Sequence, residues 1–168
     1  RIVNMHYDQK AGSAFNLMVK SGQIILGYRD VANKYSELKH SINYADSLLH
    51  NIVGTYDGQT YRLYVDGELV DEKEDTHSGF GEYPLMIGSY DGNNRYFTGS
   101  IDEISFWGAA LSPEAVSAIY FDGAPTNLKR HLDVGDLKYW WRMGDGRKKN
   151  QDPSTFVDRV NKSTLIIE

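Results

Sequence analysis

The sequence predicts an all-β fold, a sandwich of two antiparallel sheets that carries one short helix. Three observations support this prediction. Short stretches with a period-two alternation of apolar residues recur along most of the chain, Gly and Asp-Gly pairs separate these stretches, and a single segment has clear helix signals. The pattern is typical of a sandwich or a barrel, because βαβ proteins alternate strands with longer helices. A chain of 168 residues can bury one good core, so one domain is expected.

The N-terminal third predicts paired strands. Residues 1–5 have the character of a strand. In residues 15–20 Phe, Leu and Val alternate with Asn, Met and Lys, and a second apolar run spans 23–28. Ser21-Gly22 lies between these runs and predicts a tight hairpin turn. Residues 30–47 are polar with weak periodicity, so they predict a variable loop with at most one poor strand.

Three strands are predicted to follow as a meander, at residues 51–56, 61–65 and 68–71. Asp57-Gly58 and Asp66-Gly67 separate them. Both pairs are strong hairpin signals, because the turns that join adjacent antiparallel strands favour residues that adopt positive φ.

A β-bulge is predicted in a later strand. Ile101 and Ile104 cannot share one face of a regular strand, so the backbone near Asp102-Glu103 has to bulge if both side chains reach the core. Two strands are predicted in this region, at residues 84–88 and 99–107. A tight loop is predicted between them at residues 91–94.

One helix is predicted at residues 113–121. Ser112 is its expected N-cap, Pro113 occupies its first position, and Gly123 follows its end. These residue types are preferred at those positions. A helix of this length is not stable alone, so we expect it to pack on the sandwich.

The chain divides into a predicted sandwich at residues 1–124 and a C-terminal segment at 125–168. The segment contains Tyr139-Trp140-Trp141, an apolar run that cannot remain solvated, so we expect it to dock on the sandwich or on a neighbouring subunit. Because the chain begins within a strand-like stretch, we also expect it to be a piece of a longer polypeptide.

Composition argues against several classes of partner. The chain has 18 Lys and Arg against 23 Asp and Glu, a net charge of -5, and no basic stripe for a nucleic-acid backbone. No apolar run approaches the roughly 18–20 residues that span a bilayer, so membrane insertion is not expected. The absence of Cys excludes disulfides and thiol catalysis.

Two blocks of the sequence resemble the laminin-G and pentraxin branch of the concanavalin A-like lectin fold. Residues 50–58 with 61–67 resemble the central hairpins of these domains, and residues 99–107 with 110–114 resemble their closing strand and capping helix. Leu49 departs from the family, which usually has Trp before the His of the first block. The resemblance implies a concanavalin A-like jelly roll whose first strands are missing ahead of the first residue.

The C-terminal segment carries two further resemblances. Residues 137–146, with Val157-Asp158-Arg159 after them, resemble the opening strand of such domains, although they come last here. An ending of this kind after a laminin-G-like block also resembles structural proteins of marine bacteriophages. That resemblance implies a virion surface or tail component.

The sequence predicts no catalytic site. Glucanases of this fold carry a Glu-x-Asp-x-x-Glu motif, because retaining hydrolysis needs two carboxyl groups about 5 Å apart, and the acidic cluster at residues 68–75 has the wrong spacing. The five His residues are scattered, and no Gly-x-Ser-x-Gly elbow is present. We therefore expect a protein that is not an enzyme.

A structural calcium site is implied by the same resemblance. In many such sandwiches the Asp of the closing strand joins groups beside the first strand to hold Ca²⁺, an ion that prefers oxygen ligands. Here the corresponding acids are Asp102, with Asp145 or Asp158 from the tail. The alternative is that Asp102 caps its own bulge by accepting hydrogen bonds from nearby backbone N–H groups.

Ligand contact is predicted at a loop tip. Aromatic faces, amides and carboxylates are the groups that hold sugars, and loops commonly carry binding residues. The alternative is that Asp-Gly-Asn-Asn is only a favourable turn. The candidate ligand-binding residues are Tyr90, Asp91, Asn93, Asn94, Arg95 and Tyr96.

Together these features predict a non-catalytic module that binds a glycan or a protein subunit, within a larger extracellular or virion surface protein. Two alternatives remain open. One is a polysaccharide hydrolase or lyase of the same fold. The other is a purely architectural capsid or fibre domain, which would form homo-oligomers or assemble into a virion.

Overall fold

The computed structural model describes residues 2–5, 14–29, 34–41, 46, 48–75, 85–90, 95–121, 126–143, 155–157, 159–161 and 164–166. These residues form β1 (Val3–Met5), β2 (Ala14–Lys20), β3 (Gln23–Arg29), β4 (Tyr35–Ser41), β5 (Ile52–Tyr56), β6 (Thr60–Val65), β7 (Glu68–Glu74), β8 (Leu85–Ile87), β9 (Ile104–Trp107), β10 (Leu137–Trp141), β11 (Thr155–Val157) and β12 (Thr164–Ile166). The one α-helix among them is α1 (Pro113–Tyr120), and short 3-10 helices span Leu128–Arg130 and Val134–Asp136. The predicted all-β class is confirmed.

One antiparallel sheet has five strands in the order β4-β3-β2-β1-β8. Its first hairpin is tight because Ser21 and Gly22 both adopt positive φ, at 51° and 75°, as a two-residue turn between twisted strands requires. Lys20 therefore pairs directly with Gln23. The hairpin predicted at Ser21-Gly22 is confirmed.

Residues 30–47 were predicted to contain at most one poor strand, but the described residues of this range include a strand that is well paired. A seven-residue strand, β4, pairs with β3 along its whole length. Ser36 and Leu38 are buried, so the period-two pattern is present, but a polar residue occupies one of its inward positions. The Ser36 hydroxyl is satisfied there by Asp75, to which it donates a 3.0 Å hydrogen bond.

The second sheet is the predicted meander, with strands in the order β5-β6-β7. Asp66 and Gly67 adopt positive φ at its second turn. At its first turn the Asp57 carboxylate accepts hydrogen bonds from the backbone N–H groups of Gln59 and Thr60. A bond from Arg62, together with these two, lowers the pKa of Asp57 to about 2.

The two sheets face each other across an apolar core. The inward side chains of the five-stranded sheet are Ile24, Leu26, Tyr28 and Leu38, and they meet Tyr61, Leu63 and Val65 of the meander. The rings of Tyr28 and Tyr61 stack with their centroids 3.5 Å apart. Burial raises the pKa of the Tyr28 hydroxyl to about 12, so this ring stays neutral.

The strand predicted at residues 99–107 is shorter than expected. Only Ile104–Trp107 is regular strand, because Glu103 adopts a left-handed conformation with φ of 52° that interrupts the extended backbone. The interruption has the predicted consequence: Ile101 and Ile104 pack in the same apolar cluster, together with Val3 and Trp141.

The helix lies on the outer side of the meander. Its N-terminus is capped as predicted, since the Ser112 hydroxyl accepts a 3.2 Å hydrogen bond from the N–H of Ala115. Ala115 and Val116 pack against Tyr64 and Leu111. A helix of only eight residues is not stable alone, so this packing stabilises it.

The apolar run of the C-terminal segment lies against the rest of the chain. β10 pairs antiparallel with β9, and Trp140 and Trp141 are 2% and 6% exposed. On the other side of β10, the N–H of Arg159 donates to the carbonyl of Trp140.

Candidate functional site

The outer face of the five-stranded sheet carries a row of polar positions. The register pairs Asn4 with Asn16, Asn16 with Gly27, and Gly27 with Glu37. The neighbouring row of Val3, Leu17, Leu26 and Leu38 points into the core. Because successive residues of a strand face opposite sides, the first row faces away from the core. We call Asn4, Asn16, Gly27 and Glu37 the polar row; three strand spacings of about 4.8 Å give it a length of about 14 Å.

Tyr35 lies across the polar row. A Cβ atom at Gly27 would collide with the Tyr35 hydroxyl and would lie 2.8 Å from Asn16 Nδ2, so the glycine makes room for both groups. The hydroxyl donates a 3.1 Å hydrogen bond to Glu37. The guanidinium carbon of Arg29 lies 5.2 Å from the centre of the ring, and Tyr35 is 40% exposed. The sheet therefore presents an aromatic ring to solvent beside amide, carboxylate and guanidinium groups.

Glu37 is the anionic member of the polar row. Its burial opposes ionisation, but hydrogen bonds from Lys39 and Tyr35 and the charge of Lys39 outweigh that effect and hold the pKa of Glu37 below its usual value. Lys39 also forms an ion pair with the same carboxylate. Glu37 is therefore a charged hydrogen-bond acceptor at neutral pH.

Asn4 connects the polar row to the loop after β8. The side chain is 1% exposed, and its Nδ2 donates a 3.0 Å hydrogen bond to the carbonyl of Tyr90. Its Oδ1 is buried and has no hydrogen-bond partner among the residues that the structure describes. The guanidinium carbon of Arg95 lies 4.8 Å from the centre of the Tyr90 ring. A second aromatic and guanidinium pair thus lies at the β8 end of the row.

The predicted ligand residues are only partly placed by the structure. It brings Tyr90 and Arg95 together, and it leaves Tyr96 65% exposed. Asp91, Asn93 and Asn94 lie outside the described residues. Sequence reasoning missed the polar row and Tyr35. Part of the polar row could have been predicted from the Asn and Gly residues inside otherwise apolar strands. Glycine within a strand often marks the close approach of another group.

The family assignment follows from a family model that matches residues 2–117. This laminin-G model is described as the concanavalin A-like lectin/glucanases superfamily, and the match covers more than half of the chain. The chain belongs to the concanavalin A-like lectin/glucanases superfamily. A comparison with curated proteins gives no match.

Two solved structures are similar to this chain to different degrees, and the first of them shares its fold. One is a proposed carbohydrate-binding protein from Bacteroides ovatus ATCC 8483, with a TM-score of 0.69 and 12% identity over 98% of this chain. Another is an S-layer domain-containing protein from Clostridium thermocellum ATCC 27405, with a TM-score of 0.36 and 18% identity over 70% of this chain. The chain spans 47% of the first structure and 60% of the second.

Asp102, the predicted calcium ligand, makes a local contact. Its Oδ1 accepts a 2.8 Å hydrogen bond from the N–H of Glu103, which is the capping arrangement weighed as the alternative to metal binding. Asp145 and Asp158 lie outside the described residues. Within the described part of the chain, no group of three or more His, Cys, Asp or Glu side chains is arranged to hold a metal. The calcium site stays a prediction.

Glu103 holds the C-terminal segment, a role that sequence reasoning did not assign. Its Oε2 accepts a 2.6 Å hydrogen bond from Trp140 Nε1, and its Oε1 accepts a 2.8 Å bond from Arg142 Nε. The Arg142 guanidinium carbon also lies 5.2 Å from the centre of the Trp140 ring. The left-handed residue that interrupts the strand thus points its carboxylate at β10.

The acidic residues of β7 and its end serve the fold in the same way. Asp71 accepts a 2.7 Å hydrogen bond from the backbone N–H of Lys39. Glu72 forms an ion pair with Arg62 at 3.4 Å, and Asp75 accepts hydrogen bonds from the hydroxyls of Tyr28 and Ser36. Asp71, Glu72 and Asp75 therefore each have a partner within the fold.

Proposed function

We propose that this superfamily member is a non-catalytic glycan-binding module and that the polar row with Tyr35 is its binding face. The arrangement of Tyr35 over Gly27 carries the proposal. It presents an exposed aromatic ring and a charged acceptor, Glu37, on one rigid sheet. Binding sites combine an apolar surface with a few placed polar groups, and a sugar offers apolar C–H faces together with hydroxyl donors and acceptors.

The residues of the polar row lie on strands, and this position favours specific binding over non-specific adhesion. Strand register fixes the spacing of Asn16, Gly27 and Glu37, and sites built on strands hold their geometry better than sites built on loops. Tyr90 and Arg95 extend the face where Asn4 binds the Tyr90 carbonyl. The Bacteroides ovatus structure, a proposed carbohydrate-binding protein, supports the same ligand class.

The wider setting belongs to the same proposal. We place the module in an extracellular or virion surface protein. Glycan ligands occur on cell surfaces, and an ending of this kind after a laminin-G-like block resembles structural proteins of marine bacteriophages. In the described residues, no helix has the length and apolar character needed to cross a membrane. Absence of turnover is also proposed; a screen of reducing-sugar release from common polysaccharides that finds activity would contradict it.

The test is a glycan array, followed by affinity measurements on two tyrosine variants. Tyr35→Ala removes the ring of the binding face, whereas Tyr139→Ala removes a ring of equal exposure, 41% against 40%, from β10. We expect Tyr35→Ala to weaken binding of the selected glycan about tenfold or more, a loss of about 1.4 kcal/mol, and Tyr139→Ala to leave it unchanged. Equal effects of the two variants would contradict the assignment of the face. Failure to bind any glycan, combined with self-association, would favour an architectural domain.

A further inference from the structure

The charges of the chain are distributed unevenly between its two sheets. Residues 52–75, which form the meander and its turns, contain 7 acidic residues and 2 basic ones. Their net charge of -5 equals that of the whole chain, so the remaining residues are neutral in sum. A ligand with negative charge is therefore repelled mainly by the meander.

The outer face of the five-stranded sheet has the opposite charge. Lys20, Arg29 and Lys39 lie on this face, because each is an even number of residues from the member of the polar row on its own strand. Among the described residues of the face, Glu37 is the one carboxylate, so three cations and one anion give a net charge of +2. Burial opposes the ionisation of Glu37, but hydrogen bonds from Lys39 and Tyr35 and the charges of Lys39 and Lys20 lower its pKa. The carboxylate therefore already has cationic neighbours.

Two arginines beside the polar row are each held against a tyrosine ring. The guanidinium carbon of Arg29 lies 5.2 Å from the centre of the Tyr35 ring, and that of Arg95 lies 4.8 Å from the centre of the Tyr90 ring. Arg29 is partly exposed and Arg95 is exposed. Arg29 belongs to β3, whereas Asn4, which binds the Tyr90 carbonyl, belongs to β1. The strands that position the two pairs are therefore two strand spacings apart, about 10 Å.

Each pair combines the two groups that an acidic sugar needs. An aromatic ring offers an apolar surface for the C–H face of the sugar. The planar guanidinium offers N–H donors in a fork that matches the two oxygens of a carboxylate or sulfate. A hydrogen bond to such an anion is about twice as strong as one between neutral groups. A neutral sugar would gain only the weaker bonds, so the two pairs favour a ligand that carries acidic groups.

We infer that the ligand of the polar row is an acidic glycan, whose carboxylate or sulfate groups bind Arg29 and Arg95 while its sugar rings pack on Tyr35 and Tyr90. Glu37 accepts hydrogen bonds from sugar hydroxyls between the two acidic groups. This inference rests on the proposed glycan-binding function and adds to it the charge of the ligand.

The first test compares acidic glycans with their neutralised counterparts on one array. Uronate oligosaccharides are paired with their methyl esters, and sulfated galactan oligosaccharides with their desulfated forms. We expect the strongest hits to be acidic and to lose affinity about tenfold or more on neutralisation. Loss on esterification identifies a bound carboxylate, and loss on desulfation identifies a bound sulfate. The affinity of the acidic hits should also fall as salt concentration rises, because ions screen exposed charges.

The outcomes of this comparison separate the inference from the proposed function. Hits that are all neutral, or equal binding of acidic hits and their neutralised forms, would overturn the inference and leave the glycan-binding function intact. Absence of any hit would contradict the glycan-binding function, and the inference with it.

The second test uses Arg29→Gln and Arg95→Gln, with Arg62→Gln as the matched control. Arg62 lies on the meander with its side chain 29% exposed, and its replacement changes the net charge of the chain by the same amount. We expect each of the first two variants to weaken binding of an acidic hit about tenfold and to reduce the salt dependence of the affinity, while Arg62→Gln changes neither. An equal effect of Arg62→Gln, or weaker binding with unchanged salt dependence, would overturn the inference. The array comparison uses the parent chain, so it stays decisive if a variant is unstable.

Discussion

The Glu103 carboxylate joins the interrupted strand to the C-terminal segment, and we predict that its removal destabilises the chain by about 3 kcal/mol. A hydrogen bond to a charged group contributes about 1.5–3 kcal/mol, and we assign about 2 kcal/mol to the bond from Trp140 Nε1, whose donor lies on a residue that is 2% exposed. The pair with Arg142 is discounted to about 1 kcal/mol, because both side chains are partly exposed, at 29% and 19%.

The assay is thermal unfolding of Glu103→Ala beside two comparison variants. For a domain of this size, about 1 kcal/mol corresponds to a shift of roughly 2–4 °C in Tm, so Glu103→Ala is expected to lower Tm by about 6–12 °C. Alanine keeps the Cβ atom and therefore leaves the left-handed conformation equally unfavourable. Glu103→Gln retains an acceptor for Trp140 and should lose about half as much.

The matched control is Glu72→Ala, which removes an ion pair whose carboxylate is 56% exposed and should shift Tm little. Tryptophan fluorescence provides a second readout, because detachment of β10 would expose Trp140 and Trp141. Equal Tm values for Glu103→Ala and Glu72→Ala, with unchanged fluorescence, would refute the reasoning.

Three further predictions concern His50, Gly27 and Asp102. Burial opposes the charge on His50, but its hydrogen bonds with Asp66 at 2.7 Å and with Asp46 at 3.1 Å raise its pKa above the usual 6.5. The stability that protonated His50 contributes is therefore fully present below pH 6.5 and is lost as pH rises through the higher pKa of the folded state. His50→Gln should make Tm less dependent on pH between pH 6 and 9. An unchanged pH profile of Tm would contradict this. Gly27→Ala places a Cβ against the Tyr35 hydroxyl, so we expect loss of glycan binding with a retained circular dichroism spectrum; unchanged affinity would exclude a role for that contact. Calcium at a hundred times its Kd should stabilise the parent by about 2.7 kcal/mol and leave Asp102→Ala unaffected, whereas equal melting with calcium and with chelator would favour the capping role of Asp102.

Local chemistry explains which parts of the fold were predictable. The turns at Ser21-Gly22 and Asp66-Gly67 and the cap at Ser112 depend on residues that are adjacent in sequence, and the structure confirms each of them. β4 was underestimated because its inward Ser36 is polar. Ser36 can be buried because its hydroxyl donates a hydrogen bond to Asp75, which lies 39 residues away. No local sequence pattern reveals a contact over that separation.

The candidate site was less predictable because it is assembled across strands. Asn4, Asn16, Gly27 and Glu37 form a row only through strand order and register, and a shift of one residue would turn any of them towards the core. The role of Glu103 depends likewise on the pairing of β9 with β10. The residues at the tip of the loop after β8 were named from their type alone, and of these the structure connects Tyr90 to the row through Asn4.

The central claim, a glycan held on the outer face of the five-stranded sheet, is tested most directly by mapping amide chemical shifts during titration with a glycan selected on the array. The account predicts shifts that saturate at Asn16, Gly27, Tyr35 and Glu37, with little change in the amides of β6 and β7. Saturable shifts confined to β6 and β7, or to Tyr96 without the polar row, would contradict it.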